Sequence, residues 1–271
     1  QYRRFIILGC GGGGGASGGG VGGGMMSNIS GALLAASLLS SIIGVIMIIG
    51  SLKEPWFKVY YWWGRTGKKH RKDIGAYVLM AVVGATTAPL AMIIIRNILV
   101  SYTGWENTGQ WHAVWKISEV YLGVITLALS TYFLPKLSTI KGVDSIRKEI
   151  DKTVKIVLPI VLFLALGVYI LRDFAISLLF TAEFDGASDL FLIQLIGDVV
   201  KIVSWMYAYP MISRGATKWF ISTEIIFSST FVFFTLIFVS KFGIQGANIA
   251  YLVNYTCYFI VVFIGVKNFS R

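Results

Sequence analysis

The stretch IGAYVLMAVVGATTAPLAMIIIRNILV, residues Ile74–Val100, holds a single charged side chain, Arg96, in an otherwise apolar run. An α-helix needs about 20 such residues to cross roughly 30 Å of hydrocarbon, so this stretch reads as a membrane span. At its middle, Thr86-Thr87-Ala88-Pro89 places a proline where a backbone hydrogen bond is withdrawn and a kink is permitted.

The same pattern recurs along the chain. A window of about 19 residues marks seven spans, near Ile29–Gly50, Ile74–Val100, Gly109–Leu134, Lys155–Phe180, Asp189–Ile212, Trp219–Ser240 and Gly246–Val266. The connections between them are short and polar. Across the 271 residues, 56% are hydrophobic and only 14% charged, and the mean hydropathy is +0.73. Soluble domains carry roughly 25% charged residues, so a water-facing surface is excluded. The fold class expected is an all-α polytopic membrane bundle.

Charge placement then orients the bundle. Most of the 24 Lys and Arg residues fall in alternate loops: in 53–72, in 136–155, at Arg214 and Lys218, and in the tail at Lys267 and Arg271. The intervening loops carry Glu106 and then Glu183, Asp185 and Asp189, and Lys241 alone breaks the alternation. By the positive-inside rule the basic loops face the cytoplasm. The net charge of +11 is therefore a topology signal, and nucleic acid is excluded as a partner. Trp105, Trp111 and Trp115 read as interfacial anchors at the outer edge of the Gly109–Leu134 span, and Trp56 to Trp63 as anchors at the cytoplasmic edge.

Gly9–Gly24 is almost all glycine. A phosphate-binding loop needs lysine and serine or threonine directly after the glycines, and Met25-Met26 follow instead. The composition alone suggests a flexible linker. A degenerate span over residues 5–24 would instead put Arg3 and Arg4 on the same side as the basic tail, which is the expectation adopted. The start at Gln1 reads as the interior of a polytopic protein. Cys10 and Cys257 lie in apolar stretches, and His70 and His112 have no ligand-type spacing, so no metal site or disulfide framework is expected.

Eight ionisable residues remain within or near the spans: Arg96, Lys116, Glu119, Arg172, Asp173, Asp198, Lys201 and Glu224. A charge at mid-bilayer costs about 2.5–3.5 kcal/mol on insertion scales, so such residues face the bundle interior or a wet cavity. Lys116 with Glu119, and Asp198 with Lys201, sit at i, i+3 and share a helix face, which lets each pair partly neutralise itself. Arg172 and Asp173 diverge by about 100°, so one of them needs a partner on another helix. Taken singly, each charge is accounted for equally well by an ion pair that holds the bundle together. As a set they read as a polar central pathway suited to an anionic headgroup. No nucleophile–base arrangement and no nucleotide or metal motif accompanies them, so no catalytic residue and no cofactor is assigned.

Several strings resemble one family. They are Tyr121-Leu122 through to Tyr132-Phe133-Leu134-Pro135-Lys136-Leu137-Ser138, Leu171-Arg172-Asp173-Phe174-Ala175-Ile176, Gln194-Leu195-Ile196-Gly197-Asp198-Val199-Val200-Lys201, and Gly109-Gln110-Trp111 followed by Ser118-Glu119. From about Gly31 onward the chain resembles the Wzx-type polysaccharide flippases of the multidrug/oligosaccharidyl-lipid/polysaccharide exporter superfamily, in its enterobacterial common antigen and O-antigen branches. The resemblance implies a bacterial inner-membrane transporter of twelve spans in two lobes. Residues 1–52 would end the first lobe, 53–73 would form a basic inter-lobe linker, and 74–271 would form the C-terminal six-helix lobe. It also implies a saccharide on undecaprenyl pyrophosphate as substrate, moved to the periplasmic leaflet by alternating access. Membrane lipids, and the polysaccharide polymerase machinery, are the implied partners. On this resemblance Arg96, Arg172, Asp198 and Lys201 line the cavity, with Glu119 and Glu224 behind them. Two other expectations stay open: a drug or cation antiporter of the same superfamily, which would favour acidic cavity residues, and a truncated, inactive remnant.

Overall fold

The computed structural model describes residues 68–269 apart from Thr181, and seven helical positions further upstream: Leu38, Ser41, Ile42, Val45, Ile46, Ile49 and Gly50. The glycine-rich stretch, most of the Ile29–Gly50 span and the aromatic cluster at 56–63 lie outside the described residues. The chain divides into two compact units, residues 5–71 and a larger one running from Lys72 to the C-terminus.

α1 (Lys68–Ala128), which belongs to the larger unit from Lys72 onward, passes through a five-residue π-helical turn, Leu129–Phe133, into α2 (Leu134–Thr139). Then come α3 (Val143–Ile170), α4 (Arg172–Leu179), a 3-10 segment (Ala182–Leu190), α5 (Phe191–Ser213), α6 (Thr217–Phe242) and α7 (Gln245–Phe269). Among the described residues, five helical stretches are long and apolar enough to cross a membrane, and the first of them spans His70–Thr139.

That first stretch is a hairpin. Gly104 has φ 80° and ψ 174°, a region open essentially to glycine alone. Arg96 Nη2 lies 3.4 Å from His112 Nδ1, whereas sixteen residues of straight helix would separate them by about 24 Å. The polar loop expected between the Ile74–Val100 and Gly109–Leu134 spans is thus reduced to a one-residue reversal. Side chains near the turn cover the carbonyls that the break would expose. Thr103 Oγ1 donates to Leu99 O at 2.8 Å, Asn107 Nδ2 to Thr103 O at 2.8 Å, and Thr108 Oγ1 to Gly104 O at 2.7 Å.

The Lys155–Phe180 span also differs from expectation. Its helix starts twelve residues earlier, at Val143, because its charges find partners there. Glu149 pairs with Lys136 at 2.6 Å, Asp151 accepts from Tyr207 at 2.6 Å, and Ile146 and Ile150 are buried. The helix ends at Leu171, where Arg172 Nη1 donates to Tyr169 O at 2.9 Å, and α4 carries the chain onward.

α5 packs chiefly against α7, and α7 against α6. Gly197 permits the first of these contacts, since a Cβ there would stand 2.5 Å from the Tyr251 ring. The connections sort to two ends of the bundle. At one end Trp111 Nε1 donates to Asn248 Oδ1 (2.9 Å) and Asn248 Nδ2 to Leu190 O (2.9 Å). At the other, Arg214 caps Ile140 O and Leu137 O. The described basic connections, around 136–142 and at Arg214, meet at this second end. Trp105 is 81% exposed, as an interfacial anchor should be. Trp111 and Trp115 are instead buried in the core, so hydrogen bonding and packing, rather than the membrane interface, hold them. Phe163, Leu127 and Ile264 stay exposed on outer faces, where lipid replaces water.

Candidate functional site

A cavity of about 490 Å³ opens between the α1 hairpin, α5, α6 and α7. That is within the roughly 300–1,000 Å³ usual for small-molecule sites. Pro89 stands in its wall. Proline withholds a donor from the carbonyl four residues back. Just before it, Thr86 and Thr87 bond back to Val82 O and Val83 O at 2.8 and 2.6 Å. The wall helix therefore has a weak point where it meets the cavity.

Four of the eight charged residues line this cavity: Arg96, Glu119, Lys201 and Glu224. Glu119 is already neutralised, because its Oε1 accepts from Trp115 Nε1 at 2.9 Å and its Oε2 from Lys116 Nζ at 2.6 Å. Glu224 has no hydrogen-bonding or ionic partner among the described residues. Arg96 reaches His112 with one nitrogen, while its Nε is buried without a partner. The Lys201 ammonium stands among four aromatic rings, 4.9 Å from the centroid of Trp205, 5.3 Å from Tyr255, and 5.6 Å from both Trp115 and Tyr251. No carboxylate lies within ion-pair distance of it among the described residues. With Glu119 neutralised, the wall offers two cations against one free carboxylate.

The other four residues stand apart from the cavity lining. Lys116 serves Glu119. Arg172 and Asp173 sit at the end of the bundle where Asn248 meets Leu190, 3.6 Å apart, with Arg172 over the Tyr169 ring and Asp173 Oδ1 accepting from Ser188 at 2.6 Å. Asp198 is fully buried. Its Oδ2 accepts from Tyr121 at 2.7 Å, and its Oδ1 from Tyr251 at 2.8 Å and Gln194 Nε2 at 3.2 Å. The i, i+3 spacing of Asp198 and Lys201 thus produces no ion pair: three neutral donors hold the acid and four rings hold the base.

Sequence reasoning missed His112 as the neighbour of Arg96, and it missed the ring box. The i, i+4 spacings Lys201/Trp205 and Tyr251/Tyr255 were visible, but the helix that each would face was not.

Over 187 residues the chain is 35% identical to the lipid III flippase of Escherichia coli (strain K12), and equally to that of Shigella flexneri. The match covers 69% of this chain and 45% of each relative, so the chain spans about half the length of the proteins it matches. No family model matches it. No solved structure matches it. These relatives and the membrane-capable helices make it a multi-pass protein of the bacterial inner membrane.

Proposed function

We propose, from a chain homologous to the lipid III flippases, that it forms the C-terminal lobe of a flippase for lipid-linked saccharides rather than of an enzyme. The substrate is a saccharide on undecaprenyl pyrophosphate, of the lipid III or O-antigen kind, carried from the cytoplasmic to the periplasmic leaflet. The observation that carries this reading is the pair of cations, Arg96 and Lys201, opening onto one cavity with no carboxylate partner among the described residues. A buried charge without a counter-ion is costly, and an arriving phosphate relieves that cost for both residues. Their guanidinium and ammonium donors suit phosphate oxygens.

The polyprenyl tail stays in lipid while the headgroup occupies the cavity. Access alternates as the wall helix bends at Pro89 and the lobe moves against its counterpart, residues 53–73 serving as the cytoplasmic linker. Membrane lipid surrounds the outer faces, and the polymerase machinery would receive the product. A drug antiporter would need free carboxylates. Glu119 is spent on Lys116 and Trp115, which among the described residues of the cavity wall leaves Glu224 for that task.

The test is Arg96→Gln in the full-length protein. The expected result is loss of complementation in a flippase-null strain at normal membrane abundance. Wild-type complementation by this variant would overturn the assignment.

A further inference from the structure

The rings around Lys201 do more than tolerate a lysine. Trp115 comes from the second arm of the α1 hairpin, Trp205 from α5, and Tyr251 and Tyr255 from α7. They brace one another: Trp115 meets Tyr251 edge-on at 5.1 Å, and Tyr251 meets Tyr255 edge-on at 4.9 Å. Trp115 also packs on Trp111 at 5.3 Å, and Tyr251 is pinned through its hydroxyl to Asp198. Three of the walls are therefore held by contacts that do not involve Lys201, and Trp205 packs against the neighbouring apolar core. All four centroids lie within the roughly 6 Å over which a cation is attracted to a ring face, and such boxes are how proteins recognise quaternary ammonium groups.

We propose that the four rings form a latent organic-cation site that Lys201 occupies with its own ammonium, so that this residue closes the cavity to small ammonium compounds. Asp198, one helical turn away, and Glu119, on the cavity wall, are each already met by their own donors. Removing the lysine leaves the four rings around an empty space, while Asp198 keeps its own three donors. The box adjoins the cavity, since Lys201, Trp115, Trp205 and Tyr255 all line both, so a ligand can reach it from there. The class of ligand is a compact organic cation of the size of the deleted side chain, such as tetramethylammonium or an n-alkylammonium. Lys201 thus sets selectivity: with it the cavity presents a cation to an anion, and without it the same cavity takes a cation. This inference does not rest on the flippase reading, because its readout is binding, not transport.

The experiment titrates tetramethylammonium into purified full-length protein and follows tryptophan fluorescence, to which Trp115 and Trp205 in the box contribute. Lys201→Ala is expected to bind at least about tenfold more tightly than wild type, and the added change Trp205→Ala to cancel the gain. Neopentyl alcohol, neutral and similarly branched, is expected to show no such gain. A Lys201→Ala protein with unchanged melting and gel-filtration behaviour but no tighter binding would overturn the proposal, as would equal binding of the neutral alcohol. Lys201→Ser, which leaves the same space, repeats the test if the alanine variant does not fold. If neither folds alone, recovery of folded protein in n-butylammonium supports the proposal, and failure to recover it overturns the proposal.

Discussion

Asp198 and Lys201 are three residues apart on α5, yet they occupy opposite kinds of place. Asp198 is a finished node: fully buried, it accepts hydrogen bonds from Tyr121, Tyr251 and Gln194 and ties α5 to the α1 hairpin and to α7. Lys201 is unfinished: it faces a cavity, is steadied by ring faces, and has no carboxylate within ion-pair distance among the described residues. The lesson is that charge inside a membrane is not itself a sign of function. What separates a structural charge from a binding one is whether the protein supplies its partners.

The hardest test of that contrast is the exchange Asp198→Lys with Lys201→Asp. If the two formed a self-contained pair, exchange would be tolerated. Here it sets an ammonium among three donors and a carboxylate among four rings, so the protein is expected to disappear from the membrane, as read by immunoblot. A swapped protein at wild-type level that also complements a flippase-null strain would erase the distinction.

The single substitutions follow with smaller effects. Asp198→Ala leaves two buried tyrosine hydroxyls without an acceptor, each costing about 1–3 kcal/mol. A clear fall in the midpoint of thermal unfolding in detergent is expected. Lys201→Gln should do the reverse: near-normal thermal stability and abundance, but no flipping in a complementation assay. If Lys201→Gln instead lost the protein while Asp198→Ala kept it, the two roles would be exchanged.

Tyr251→Phe removes one of the three donors to Asp198 and keeps the ring in the Lys201 box. It should lower stability by about 0.5–1.5 kcal/mol, as the loss of one hydrogen bond does, with flipping retained. Smallest of all, Lys116→Ala breaks a partly exposed ion pair worth about 0–1 kcal/mol. Abundance and flipping should stay near wild type. A null phenotype there would move Lys116 from a supporting role into the cavity's chemistry.

Much of the architecture could be read from residue order. The spans at Asp189–Ile212, Trp219–Ser240 and Gly246–Val266 lie within α5, α6 and α7 to within a few residues. The Gly104 reversal was hidden because the turn's hydroxyls and amides let helix run almost to the glycine from both sides. The early start of α3 was hidden because Glu149 and Asp151 look like loop charges until Lys136 and Tyr207 are seen to meet them. The tryptophans misled for a related reason: Trp111 has the position of an interfacial anchor, but its indole N–H finds Asn248 on another helix.

The sequence by itself determined that the chain crosses the membrane, roughly where, and which connections share a side. These are local properties: hydrocarbon thickness and the absence of water act on each run of about 20 residues independently of the rest. Only the tertiary structure decided which charges are structural and which stay open. The partners that settle it come from far along the chain: Tyr121 is 77 residues from Asp198 and Tyr251 is 53. Two residues one helical turn apart can be told apart only by what the neighbouring helices bring to each.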